Sequence, residues 1–210
     1  MSRSRLLPLL LLVLTMTGCS APSAQTGESA GAESSANTST PRSATQRSAD
    51  SPVSGTELQS RWWGWVSSAP AGQDPVRDTT GRFCAVNQPE RTWFVAGTYG
   101  GEVRRSCRVP GNTPIVGPAV NRVTSTASAC EKFLAKSEGT ATVDGAEQSL
   151  RRIEPTRIAY ESPSGPVARY GCGLWLRVPP LSPGEHTLTL RGSSGEFRTE
   201  ASYQLIVTSE

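Results

Sequence analysis

His186 is the only histidine in the chain, so any mechanism that needs an imidazole base must use it. It opens the alternating stretch His186-Thr187-Leu188-Thr189-Leu190 beside the turn Pro183-Gly184, a setting that the start of a strand explains without catalysis. Within residues 55–210 neither GxSxG nor SxxK occurs, and Gly192-Ser193-Ser194-Gly195 has the composition of a loop, so that part of the sequence offers no nucleophile elbow and no penicillin-recognising motif. Asp74-x-x-x-Asp78-x-x-Gly81 lacks the alternating ligands of a calcium loop, and turn chemistry accounts for both aspartates. Glycoside hydrolysis requires two carboxylates that meet only in three dimensions; Asp74, Asp78, Glu90, Glu102 and Glu161 are available for it, but no spacing singles out a pair. Gly97-x-x-Gly100-Gly101 precedes a strand rather than a helix and so does not read as a phosphate loop. No cofactor and no metal site are expected.

The cysteines carry a different chemistry. Cys84, Cys107, Cys130 and Cys172 show no CxxC spacing and no neighbouring histidine, which argues against zinc. In an oxidising compartment four cysteines imply two disulfides, with three possible connectivities. The fifth, Cys19, follows Met16-Thr17-Gly18 and stands directly after a positively charged start (Arg3, Arg5) and a nine-residue apolar run, residues 6–14. That run is too short to span a bilayer. The arrangement resembles the lipobox signal of bacterial lipoproteins, with Met16 where leucine is usual. The resemblance implies cleavage after a signal peptide of residues 1–18 and acylation of the Cys19 thiol. Two or more acyl chains would hold the chain at the membrane on its extracytoplasmic face.

Charge supports no nucleic-acid partner. The chain has 21 Lys+Arg against 18 Asp+Glu, a formal +3; without Arg3 and Arg5 the count is 19 against 18, or +1. No basic run exceeds two residues, so neither a nucleic-acid footprint nor a polybasic membrane patch is present. Residues 19–54 are rich in Ser, Ala, Thr, Gly and Pro, and past Cys19 they hold no aromatic, Leu or Ile. Such a segment cannot bury enough apolar area to offset its ordering entropy, and as a tether of roughly 35 residues it would reach about 30–35 Å on average.

Residues 55–210 amount to one domain. It opens on Arg61-Trp62-Trp63-Gly64-Trp65-Val66, three of the five tryptophans in four positions. Ser54-x-x-Glu57 and Thr56-x-x-Gln59 both fit a capping box, and Leu58, Trp62, Trp65 and Val66 fall on one helical stripe. Trp63 lies about 100° off that stripe and is the ring a core helix does not need. After a turn-rich segment, residues 83–86 read as a short strand. Residues 92–96 (TWFVA) and 103–109, joined by Tyr99-Gly100-Gly101-Glu102, read as a hairpin that sets Phe94 against Cys107 and Trp93 against Arg108. That pairing favours Cys84–Cys107, leaving Cys130–Cys172. Residues 114–120, broken by Gly117-Pro118, read as an edge or bulged strand, residues 128–136 as a helix, and Asp144-Gly145 as a second hairpin turn. Residues 157–161, 174–178, 185–191 and 197–207 complete the strands.

The phrases LSPGEHTLTLRG and YQLIV resemble the final strand pair of extracellular β-sandwich domains, and residues 61–111 resemble a block found in uncharacterised secreted proteins of high-GC bacteria. Neither resemblance implies an activity. The expected fold is mainly β: a single β-sandwich-like domain with an N-terminal amphipathic helix, one further short helix and two disulfides. The expected function is a non-catalytic binding module for an envelope glycan or partner protein, with Trp63, Trp93 and Arg108 as binding residues and Trp175 as a further spare aromatic. The alternative is an extracytoplasmic hydrolase of carbohydrate or cell-wall substrate.

Overall fold

The computed structural model describes residues 53–209, all within the compact unit Arg47–Glu210. The signal segment, Cys19 and all but the last two residues of the 19–54 tether lie outside the described residues.

The capping box and tryptophan stripe form helix α1, Gly55–Ser67. The Ser54 hydroxyl accepts from the Glu57 N–H at 3.1 Å, supplying one of the partners that the first helical turn lacks. Leu58, Trp62, Trp65 and Val66 are buried, as the stripe predicts. Burying two indoles contributes on the order of several kcal/mol in gross terms. Two of them also find partners: Trp62 Nε1 donates to the Val95 carbonyl at 3.0 Å and Trp65 Nε1 to the Val86 carbonyl at 2.8 Å.

Nine strands and a second helix follow: β1 (Trp93–Phe94), β2 (Gly101–Pro110), β3 (Ile115–Thr124), α2 (Ala127–Leu134), β4 (Ser137–Val143), β5 (Ala146–Gln148), β6 (Leu150–Ser162), β7 (Gly165–Val178), β8 (Gly184–Ser194) and β9 (Phe197–Thr208). They build a four-stranded sheet, β1-β3-β7-β6, and a five-stranded sheet, β2-β9-β8-β4-β5. Ile115, Leu176 and Val178 of the first pack on Leu188, Leu190, Leu205 and Val207 of the second. The other face of the four-stranded sheet, through Val116, Ile153 and Trp175, receives α1. The result is a sandwich with a helix as third layer. The disulfides are Cys84–Cys107 and Cys130–Cys172, with Cα separations of 5.8 and 5.9 Å. The second fastens α2 to β7, beside Phe133, Leu134 and Val120.

The Asp144-Gly145 turn has φ of 51° and 79°, both positive as a two-residue hairpin loop requires, and it sets Val143 opposite Ala146. The final hairpin β8–β9 runs in unbroken register from Gly184↔Val207 to Ser194↔Phe197. In β3 the expected bulge falls between Pro118 and Val120. There the chain swings so close to the five-stranded sheet that a Cβ on Gly192 would stand 2.2 Å from the Ala119 carbonyl oxygen, so only glycine fits.

Two expectations fail. Residues 92–96 and 103–109 do not form a hairpin: β1 pairs in parallel with β3, and β2 pairs in parallel with β9 in the other sheet. The reason is visible in their burial. Residues 92–96 are buried throughout, because Trp93 and Val95 face the inter-sheet core while Phe94 and Ala96 face α1. Such a run needs cover on both faces, which the helix-backed sheet provides. Strand β2 alternates exposed and buried and suits the sheet whose outer face meets solvent. Residues 83–86 are not a strand but a series of turns, with Cys84 N–H bonded to the Gly81 carbonyl and Val86 N–H to that of Phe83, both at 3.1 Å. They are wound up by Asp78, whose carboxylate accepts from the N–H groups of Thr80, Gly81 and Phe83 at 2.9–3.1 Å. Burial pushes the Asp78 pKa upward, yet these bonds outweigh it and the net shift is down.

Arg105 secures this irregular region. Its side chain is 4% exposed. It donates to the carbonyls of Asp78 (2.7 Å), Ala96 (2.7 Å), Val76 (3.1 Å) and Gly97 (3.0 Å), and to the Tyr203 hydroxyl. Arg105→Met preserves length and apolar contact but strands these acceptors. Urea unfolding of this variant should show stability lowered by about 3–5 kcal/mol; a loss below about 1 kcal/mol would mean the carbonyls find other partners.

Candidate functional site

The off-stripe position of Trp63 puts its ring at the edge of the α1–sheet interface. It meets Trp62 edge-on, with centroids 5.0 Å apart, and stacks on Tyr160 of β6 at 6.4 Å with an interplanar angle of 21°. Two surface depressions open on either side of it, and Trp63 and Tyr99 line both. The smaller, about 110 Å³, has Trp62, Val76, Pro118, Val120, Asn121 and Phe197 among its walls. The larger, about 400 Å³, includes Pro70, Asp74, Arg77 and Tyr160.

Tyr99 and Phe197 are the large hydrophobic side chains most exposed among the described residues, at 56% and 37%, and both face this groove. The tight turn Gly100-Gly101 lifts Tyr99 outward, and Gly100 lies close beside the Phe197 ring. The Tyr99 hydroxyl donates to Asp74 Oδ2 at 3.2 Å, and the Arg77 guanidinium stands 5.1 Å from its ring centroid. Burial, then the Asp74 charge, push the Tyr99 pKa up to about 12, so the phenol stays neutral. Trp63 Nε1 and Asn121 Nδ2 are buried atoms with no hydrogen-bond partner in the protein. The groove thus presents aromatic faces, with these two nitrogens closed off behind its walls.

Of the expected binding residues, Trp63 lies in the groove. Trp93 lies in the inter-sheet core at 5% exposure, and Arg108 is exposed on the five-stranded sheet, so the expected contact between them is not made. Trp175 is sealed beneath α1 at 1% exposure. Sequence reasoning missed Tyr99, Phe197, Tyr160 and Asn121. An aromatic residue before a Gly-Gly turn was the available signal for Tyr99; nothing local marked Asn121.

The carboxylates considered for hydrolysis are dispersed. Asp78 is buried and bonded to backbone; Asp74 accepts from the Val76 N–H at 2.8 Å and from Tyr99. Glu102 lines a separate depression of about 420 Å³ with Glu138, Arg191, Arg198 and Glu200, where Arg191 and Glu200 are joined by two bonds of 2.8 Å. The Arg191 hydrogen bonds hold the Glu200 carboxyl below its usual range. Glu90 and Glu161 are exposed. Among the described residues, no group of three or more His, Cys, Asp or Glu is placed to hold a metal.

His186 has the residue types of a triad around it. Its Nδ1 is 2.7 Å from Asp144 Oδ2, and its Nε2 is 3.5 Å from the Ser182 hydroxyl. Nε2, however, is 2.9 Å from the Ser182 carbonyl oxygen, which can only accept. Both ring nitrogens must therefore donate, which suits an imidazolium and leaves no lone pair to activate a serine. The trio latches the β4–β5 tip to the turn before β8.

No protein-family model matches the chain, and no curated protein is significantly similar to it.

The latch predicts a pH dependence. The hydrogen bond to Asp144, then that to the Ser182 carbonyl, raise the His186 pKa above 6.5. Its contribution to stability is complete below that value and is lost as pH rises through the folded value. Hydrogen bonds from His186 and Thr187 lower the Asp144 pKa below 3.8, so its contribution is complete above that value and fades as pH falls through the lowered one. His186→Gln should depress Tm at about pH 5.5 and much less at about pH 9. An equal loss at both pH values would show that the latch does not depend on charge.

Proposed function

We propose that the protein is a lipid-anchored extracytoplasmic binding lipoprotein whose sandwich presents the Trp63 groove to a glycan of the cell envelope. The signal-like start and Cys19 support the anchor, and two disulfides suit an oxidising compartment. The observation that carries the ligand reading is the groove itself: a half-buried tryptophan between two depressions, with Tyr99 and Phe197 exposed beside it. Sugars offer apolar C–H faces that lie on aromatic rings and hydroxyls that meet neutral hydrogen-bonding groups. Concave sites of this composition are where small polar ligands bind. A rigid scaffold with exposed aromatics also keeps the entropic cost of binding low.

Retention of the full chain on immobilised envelope polysaccharide is the test. Tyr99→Ala should weaken retention about tenfold, with Tm scarcely altered because the side chain is exposed. Trp63→Ala should weaken it at least as much, with some loss of stability because Trp62 and Tyr160 lose a packing partner. Retention unaffected by both substitutions, or binding only to envelope proteins, would refute the glycan reading. Cys19→Ala should move the protein from the membrane fraction to the medium; its persistence in the membrane fraction would refute the anchor.

A further inference from the structure

The larger depression beside Trp63 carries charge as well as aromatic surface. Trp63 and Tyr160, stacked at 6.4 Å, and Tyr99 supply its rings, and Asp74 and Arg77 are the charged residues that line it. The Asp74 carboxylate is already engaged. Its Oδ1 accepts from the Val76 N–H at 2.8 Å, and its Oδ2 accepts from the Tyr99 hydroxyl at 3.2 Å and lies 3.5 Å from Arg77 Nε. Arg77 has capacity to spare. Its side chain is 77% exposed, its guanidinium stands 5.1 Å from the Tyr99 ring centroid, and neither Nη nitrogen makes a hydrogen bond among the described residues. A second exposed cation, Arg169, acts on Tyr160: burial raises the Tyr160 pKa, and the Arg169 charge opposes that rise. The main charges felt at the two phenols of the depression are therefore two guanidiniums, Arg77 and Arg169, and one carboxylate, Asp74.

We propose that the glycan taken by this groove is acidic, with the carboxylate of a uronic acid residue held by Arg77 at the larger depression, a proposal that rests on the glycan reading of the groove. A guanidinium offers five N–H groups in a planar fork, and a carboxylate matches two of them at once. With Nε turned to Asp74, the Nη pair remains for the ligand. The contact with the Tyr99 ring restricts the Arg77 side chain before the ligand arrives, so less freedom is lost on binding. The surrounding charges also set the sign of the ligand. Asp74 balances one of the two nearby guanidiniums, so one further negative charge is favoured, whereas an amino sugar would add a third cation. The ring that bears the carboxylate meets the aromatic faces of Trp63 and Tyr160 in the same depression.

The test uses the full chain and the immobilised envelope polysaccharide in three forms: untreated, carboxyl-reduced with carbodiimide and borohydride so that each uronic acid becomes its neutral sugar, and freed of phosphate esters with hydrofluoric acid. Retention should be at least about fivefold weaker on the carboxyl-reduced form and unchanged on the phosphate-free form. Arg77→Gln should weaken retention on the untreated form by a similar factor and on the carboxyl-reduced form much less. Arg104→Gln removes an equal charge from the solvent face of the five-stranded sheet and should alter neither. Thermal melts should show both variants folded with Tm scarcely changed, because both side chains are exposed. Equal retention on the untreated and carboxyl-reduced forms overturns the uronic acid assignment and leaves the glycan reading intact. Loss on the phosphate-free form alone assigns the anion to phosphate and overturns it as well. Equal losses from Arg77→Gln and Arg104→Gln overturn it by showing a diffuse effect of charge. Retention on none of the three forms refutes the wider glycan reading, and this proposal with it.

Discussion

A single buried cation organises the part of this molecule that regular secondary structure does not reach. The Arg105 guanidinium ties the carbonyls of Val76, Asp78, Ala96 and Gly97 to β2, and its bond to Tyr203 ties them to β9. Tyr203 closes the circuit by accepting from the Ala96 N–H at 3.0 Å and donating to the Ala96 carbonyl at 2.6 Å. Those carbonyls belong to turns and to the end of β1, where no ladder supplies donors. A fixed fork of five N–H groups can serve several of them at once, which an ammonium on a flexible stem cannot.

The groove depends on this arrangement. The loop that carries Tyr99 begins where Arg105 holds Ala96 and Gly97, and Asp74 and Arg77 sit in the segment whose Val76 and Asp78 carbonyls it also binds. The Cys84–Cys107 bridge fastens the same segment to the same strand from its other end. One wall of the groove is therefore set by a buried polar network. The opposite wall is set by apolar packing of α1 on the sheet, with Trp63 at its margin.

What was legible in the sequence is what depends on near neighbours. The Ser54 cap, the Leu58–Trp62–Trp65–Val66 stripe and the Asp144-Gly145 turn are each specified within a dozen or so residues, and the β8–β9 hairpin within 25. The sandwich class and both disulfide pairings follow the expectation as well, although the hairpin used to favour Cys84–Cys107 does not form. The assignment of β1 and β2 to different sheets was hidden because their partners, β3 and β9, are chosen by burial across the whole domain. Arg105 was illegible for a similar reason: an arginine in an alternating strand reads as solvent-facing until the carbonyls that surround it are known. Of the site, Trp63 was recognisable because it broke a pattern. Asn121 breaks none, and only the folded course of β3 brings it to the wall of a depression that Trp63 also lines.

The parallel pairing of β2 with β9 bears on how the chain reaches this state. Their register runs from Gly101↔Thr199 to Pro110↔Thr208, so each residue pairs with one 98 positions further along the chain. Loop closure over such a distance is slow compared with forming a local hairpin. A chain delivered N-terminus first must hold β2 without its neighbour until the last strand emerges. In that interval β2 is an open sheet edge, the kind of surface that invites mispairing with another molecule. The Cys84–Cys107 bridge sets the neighbouring residues 80–84 along the other edge of β2, where the Ser106 N–H donates to the Thr80 carbonyl at 2.9 Å, so that in this interval the edge left open is the one that awaits β9.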